Sequence, residues 1–298
     1  MESENSAKYE KAGIIAAKVM SFIKDKIKEG AVVLELAKVA EAKIVELGGK
    51  PAFPVNISIN EIAAHYTPRY NDTLVLKKGD LVKFDFGVHV DGYPADAAFS
   101  ISVGKNEENE RLIEAANAAL KAALSSVKPN IEVSKIGAAI ETTVRAAGLQ
   151  VVKNLSGHGI KKFDLHAEPS IPNFDNNDKT KLENGIVIAI EPFVTNGKGF
   201  VEDTGSCEIY RIIKTAPIRD REVLDFMLQE FGPLPFAKRW VVEKFGLMRT
   251  SLALREAISK GILHEYKILK EVSGAKVAQA EHSVLVSKKT KIFTVTED

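Results

Sequence analysis

The sequence predicts an α+β protein in which helices cover a sheet, and three features of the 298-residue chain predict it. The stretch 79–104, GDLVKFDFGVHVDGYPADAAFSISVG, alternates on both sides of Asp91-Gly92, a dipeptide that tolerates positive φ at both central positions of a two-residue hairpin turn. Pairs of helical patterns, 8–27 with 32–47 and 107–127 with 133–147, flank that hairpin. Further on, 185–194 and 275–287 read as apolar strands, each interrupted by one acid.

Taken in order, the first helical pattern breaks at Gly30 and the second ends at Gly48-Gly49. A short strand is expected at 53–59, followed by NEIAAHYTPR, where His65 sits between a small-residue pair and a Thr-Pro turn. Another short strand at 74–76 leads through Lys77-Lys78-Gly79-Asp80 into the hairpin. With Asp91-Gly92 as the loop, Val90 pairs with Tyr93, Asp85 lies opposite Ala98, and Asp96 lies opposite Gly87. The two aspartates are then diagonal neighbours on one face. Phe84, Phe86, Val88, Val90, Tyr93, Ala95, Ala97 and Phe99 fill the other face, which is the core side.

After the two covering helices comes 149–152, then the glycine-bearing stretch NLSGHGIKKFDLHAEPSIPN, read as a loop that carries His158 between two glycines and His166 eight residues later. Glu191 stands inside the strand GIVIAIEPFV, and Glu281 inside AKVAQAEHSVLVS. Between the strand 207–212 and the one bearing Glu281, helices are expected at 219–231, 237–245 and 252–260 and around 266–272, punctuated by Gly232-Pro233 and Pro235. Trp240 belongs there to a small local core.

Composition narrows the chemistry. Apolar residues make up 45% and charged residues 27%, with a formal net charge of +1, which implies neither a membrane nor specific nucleic acid as partner. The N-terminal MESENSAKYEKAG has no signal-peptide core, so a cytoplasmic location is expected. The one cysteine, Cys207, excludes an internal disulfide and any thiolate metal cluster. Two facing aspartates repel unless they are solvated, share a proton or hold a cation, and a glutamate inside an apolar strand needs an ion pair or a metal. Oxygen donors with imidazole suit one or two divalent first-row ions and hydrolytic chemistry.

Asp85, Asp96, His158, Glu191 and Glu281, within KFDFGVHVDGYPAD, SGHGI, AIEPF and QAEHSVLV, resemble the five ligands of the pita-bread metallopeptidases. The match extends to AAHYTP around His65 and to the spacing from His158 to His166, and it is similar over nearly the whole chain to the type 2 methionine aminopeptidases of archaeal form. The resemblance implies a pita-bread fold, a curved antiparallel sheet covered by helices, over 1–298, with a helical insert subdomain at 215–275 as the type 2 feature. It implies two divalent ions (cobalt, manganese, iron or zinc) bridged by Asp96 and Glu281, and a metal-activated water that attacks the first peptide bond. Glu191 is then the proton shuttle, and His65 and His166 bind the substrate and stabilise the tetrahedral intermediate. Phe53, Leu165 and the His65 ring wall a pocket for the initiator methionine of nascent proteins, with a small second residue preferred. A monomer is expected, and ribosome association is left open. Two alternatives stay open: an Xaa-Pro peptidase of the same fold, against which His282 after Glu281 argues, and a non-catalytic ribosome- or RNA-binding relative.

Overall fold

The computed structural model describes residues 3–295 and is mixed helix and antiparallel sheet. In chain order the first half contains α1 (Ser3–Lys24), α2 (Val33–Glu46), β1 (Lys50–Pro51), β2 (Asn56–Ile59), β3 (Ile62–Ala64), β4 (Leu81–Val90) and β5 (Tyr93–Ser102). The second contains α3 (Glu107–Ser126), α4 (Val133–Ala146), β6 (Gln150–Val151), β7 (Ser156–Lys161), β8 (Asp164–Pro172), β9 (Val187–Ile190), β10 (Phe193–Thr195) and β11 (Val201–Ile212). Then follow α5 (Arg221–Glu230), β12 (Phe236–Ala237), α6 (Lys238–Phe245), α7 (Leu247–Ser259), β13 (Leu263–Glu271), β14 (Val277–Gln279), β15 (Glu281–Leu285) and β16 (Lys291–Ile292).

Each half repeats one local design, two helices and a short strand. Gly48 (φ 84°) and Gly148 (φ 68°) end the second helix of each pair in the left-handed conformation that a side chain resists. The main sheet runs β1-β4-β5-β15-β9-β7-β8, with β2 also on β4 and β16 on β15, and every pairing in it is antiparallel. Phe84, Phe86, Val88, Ala95 and Ala97 turn one face of β4 and β5 onto Val19, Ile23, Leu36 and Ile44 of α1 and α2. Ile188, Ile190 and Val284 meet Leu120, Ile136 and Ile140 of α3 and α4 in the same way. Burial of this kind contributes about 1.5–3 kcal/mol for each large side chain. The opposite face of these strands is thereby left for polar work.

The hairpin register is the expected one, with Val90 opposite Tyr93, Asp85 opposite Ala98 and Gly87 opposite Asp96. Three expectations are corrected. The stretch read as a loop around His158 and His166 is the hairpin β7–β8, because β9 offers β7 a partner strand that local sequence does not reveal. Its turn residue Phe163 (φ 57°) donates its N–H to Gly92 O at 2.7 Å, joining the two hairpin tips. The segment around 266–272 is strand, not helix, since β11 pairs with β13 along most of its length and outweighs the helical preference of its Lys, Glu and Leu residues. The strand expected at 74–76 is a single bridge, Val75 to Val32.

The helices α5, α6 and α7 share a core of Val223, Met227, Val241 and Leu254, which rests on Tyr210 of β11. Asp220 caps α5 by accepting from Val223 N at 3.2 Å. No helix among the described residues is long and apolar enough to cross a membrane.

Candidate metal centre

Five neighbouring strands of the main sheet deliver one donor each. Asp85 comes from β4 and Asp96 from β5; Glu281 opens β15; Glu191 follows the last residue of β9; His158 lies on β7 opposite Ala189. Asp85 and Glu281 are both in register with Ala98, one from each side, so their side chains converge over β5. His158 Nε2 lies 3.8 Å from Asp96 Oδ2 and 3.7 Å from Glu191 Oε1. Donor atoms of Asp96, His158 and Glu281 all fall within 4.8 Å of one another. The amide of Gln279 completes the set: its Nε2 donates to Asp85 Oδ2 and Glu191 Oε2 at 3.3 Å and to Glu281 Oε2 at 3.4 Å.

Crowding four carboxylates away from water changes their chemistry. Burial pushes Asp85 up to about 7. Asp96, Glu191 and Glu281 are also raised, first by burial and then by the charge of their carboxylate neighbours. Burial holds His158 down at about 4, so its contacts with Asp96 and Glu191 join carboxylates to a neutral imidazole and are not ion pairs. Asp85 Oδ1, Asp96 Oδ1 and Glu281 Oε1 are buried without a hydrogen-bond partner. Orphaned carboxylate oxygens beside a neutral imidazole, with no thiolate near, fit a divalent first-row cation.

The centre forms the floor of a cleft of about 240 Å³ whose lining includes every site residue the sequence singles out: Asp85, Asp96, His158, Glu191 and Glu281 below, Phe53, His65, Leu165 and His166 around them. His65 holds a positive φ of 66°, and its Nδ1 is 3.0 Å from Lys267 O on β13. Such a backbone is strained for a residue with a side chain and persists where the surroundings impose it. His166 stands edge-on to His158, ring centres 4.7 Å apart. Both outer histidines can be reached by solvent, yet the surrounding cleft walls hold them below the usual imidazole range, by desolvation first. A larger groove of about 1070 Å³ between α2 and the helices α5 and α6 contains none of these nine residues.

Sequence reasoning missed two contributors. Tyr266, assigned there to a helix, stands on β13 with its ring 5.6 Å from His65 and 6.0 Å from His166. Gln279 carries no charge to attract notice; its only sign is a position two residues before Glu281, on the same side of the chain.

The model of metallopeptidase family M24 matches residues 7–222. The chain belongs to metallopeptidase family M24. Among its relatives, the methionine aminopeptidase of Archaeoglobus fulgidus is 43% identical over 289 residues, 96% of this chain and 97% of that one. This M24 chain is also similar in fold to a thermophilic Arx1 (TM-score 0.87, 17% identity, 100% of this chain and 92% of that one). The methionine aminopeptidase of Thermotoga maritima is similar too (TM-score 0.74, 22% identity, 99% and 98%). At these identities the two structures establish the pita-bread fold alone, as the resemblance implied.

Proposed function

We propose that this M24 peptidase removes the N-terminal methionine from nascent proteins, using two divalent ions held by Asp85, Asp96, His158, Glu191 and Glu281. The observation that carries the reading is the convergence of four carboxylates, Asp96 and Glu281 buried and Asp85 and Glu191 half-buried, with one neutral imidazole at the floor of a cleft with apolar walls. Curated relatives of nearly equal length that are named methionine aminopeptidase support the activity. Bound ions supply a water whose pKa falls to about 7.

The chain's own residues do the rest. Asp96 and Glu281, whose donor atoms lie within 4.8 Å of each other and of His158, would be shared by both ions, with Asp85 as a further ligand of one and His158 and Glu191 of the other. Glu191 moves a proton from the attacking water to the leaving amine. Neutral His65 and His166 bind the substrate carbonyl and stabilise the tetrahedral oxyanion. Phe53, Leu165 and the His65 ring enclose the methionine side chain, whose unbranched thioether adapts to a narrow apolar slot. The walls near the second position favour small residues there. Manganese, cobalt, iron or zinc all suit this donor set, and availability selects among them. A cytoplasmic monomer that meets its substrates as they leave the ribosome fits this activity, with 215–275 as an insert subdomain beside the cleft.

Release of methionine from Met-Ala-Ser and Met-Leu-Ser, before and after chelation and with manganese or cobalt returned, tests the reading. Cleavage of Met-Ala-Ser only with metal is expected. Hydrolysis of Xaa-Pro peptides instead would move the assignment to a proline-directed enzyme, and inertness with every ion tried would end it.

A further inference from the structure

One buried cation lies outside the chemistry described so far. The Arg239 side chain, in the first turn of α6, is 1% exposed. Its Nη2 donates to Glu41 Oε1 of α2, and its Nη1 donates to Thr67 Oγ1 at 2.5 Å and to Pro68 O at 3.2 Å. Glu41 in turn accepts from Trp240 Nε1 at 3.0 Å and from Val55 N at 3.2 Å. Thr67 Oγ1 donates to Val55 O at 2.8 Å, so both backbone groups of Val55 are held by this network.

Each anchored point is close in sequence to a wall of the cleft. Val55 is two residues after Phe53, and Thr67 two residues after His65. Arg239 follows Phe236–Ala237 of β12, which pairs with Tyr210 and Ile209, and it is four residues after Pro235. Phe53, His65, Ile209 and Pro235 all line the cleft, whereas Arg239, Glu41 and Trp240 do not. A buried ion pair is a poor source of net stability compared with apolar packing, and its best-attested use is to impose one geometry. Arg is suited to that use, because its planar fork reaches several acceptors at fixed angles.

We propose that Arg239, through Glu41 and Thr67, is a positioning residue for the substrate side-chain pocket: it ties the insert to the Phe53 and His65 walls and sets their spacing. The inference rests on the proposed aminopeptidase reading. It makes the insert a structural determinant of specificity for the first residue.

The test compares wild type, R239K, R239M and T67V, each saturated with manganese, on Met-Ala-Ser and norleucine-Ala-Ser. T67V removes one hydroxyl and keeps the shape, so it preserves a folded protein even where R239M does not. Expected is a three- to tenfold rise in KM for Met-Ala-Ser in T67V, with kcat within twofold, and a Met-to-norleucine preference that shrinks at least threefold. R239K restores part of the loss in R239M. Trp240, the one tryptophan of the chain, gives a readout independent of turnover. Its emission changes saturably as methionine, but not alanine, is titrated into wild type, and the change is lost in T67V. KM and preference equal to wild type in folded T67V, or flat Trp240 emission in a wild type that cleaves Met-Ala-Ser, would overturn the proposal. A wild type that cleaves no Met peptide fails the aminopeptidase reading itself, and a flat emission titration there removes this proposal with it.

Discussion

The hydroxyl of Ser283 closes a two-way hydrogen bond with the backbone of Asp96: Oγ accepts from Asp96 N at 2.7 Å and donates to Asp96 O at 2.8 Å. A side chain on β15 therefore takes the place of ladder bonding at the residue that presents a central carboxylate to the metal centre. Threonine carries the same hydroxyl, so Ser283→Thr is expected to leave stability and metal binding unchanged. Ser283→Ala leaves a buried N–H and C=O unpaired and should cost about 1–3 kcal/mol. Denaturant melts with calorimetric manganese titration check both; equal behaviour of the two variants would remove the hydroxyl from the argument.

Removal of one carboxylate should act in opposite directions with and without metal. In chelated protein Glu281 crowds Asp96, Glu191 and Asp85, so Glu281→Gln relieves repulsion and raises the melting temperature. The same variant loses the stabilisation that metal confers on wild type, about 2.7 kcal/mol at a free ion concentration of 100 Kd. Turnover of Met-Ala-Ser is expected to fall at least about 100-fold, more than a merely supporting partner would cost. Scanning calorimetry of both proteins with manganese and with chelator gives the four melting temperatures needed.

The pH dependence of the metal-free protein follows from the same carboxylates. Asp85 is raised to about 7, whereas an unfolded aspartate titrates near 4. Between these values the folded state holds a proton that the unfolded chain has released. The contribution of Asp85 to stability is therefore complete below about pH 4 and is lost as pH rises through about 7. Asp96, Glu191 and Glu281, also raised, act with the same sign. Metal displaces these protons, so its apparent affinity should climb with pH. Melts at pH 5, 6, 7 and 8 with chelator and with manganese should diverge; parallel curves would contradict the assignment.

Phe53 is held from behind by a glycine. A Cβ on Gly87 would lie 2.5 Å from Phe53 Cε1 and 2.9 Å from Ala52 Cβ. Gly87→Ala should therefore displace the Phe53 ring at a cost of about 1–3 kcal/mol. If that ring walls the methionine pocket, KM for Met-Ala-Ser should rise on the order of tenfold, about 1.4 kcal/mol, while manganese affinity stays near wild type. Steady-state kinetics with parallel metal titration separates the two effects.

How much was legible in the sequence follows from the range of the forces involved. The diagonal placement of Asp85 and Asp96 could be read directly, because Asp91-Gly92 closes the hairpin within two residues and the two-residue period of a strand does the rest. The five candidate donors were legible because acids are costly in apolar strands unless paired, and because together they match a known pattern of ligands. Helix ends at Gly48 and Gly148 were local too, needing only a residue that tolerates the left-handed region.

What only the tertiary structure decided involves partners far along the chain. Residues 156–172 fold as a hairpin because β9 lies beside β7, and 263–271 become a strand because β11 offers an edge some sixty residues earlier. That pairing brings Tyr266 to the two outer histidines. Gln279 reaches three carboxylates, Ser283 holds Asp96, and Arg239 joins α6 to α2, though none of these polar side chains differs in the sequence from ordinary surface chemistry. Their roles arise from burial beside particular partners, and burial is a property of the assembled fold: no local pattern encodes which hydroxyl, amide or guanidinium will be cut off from water.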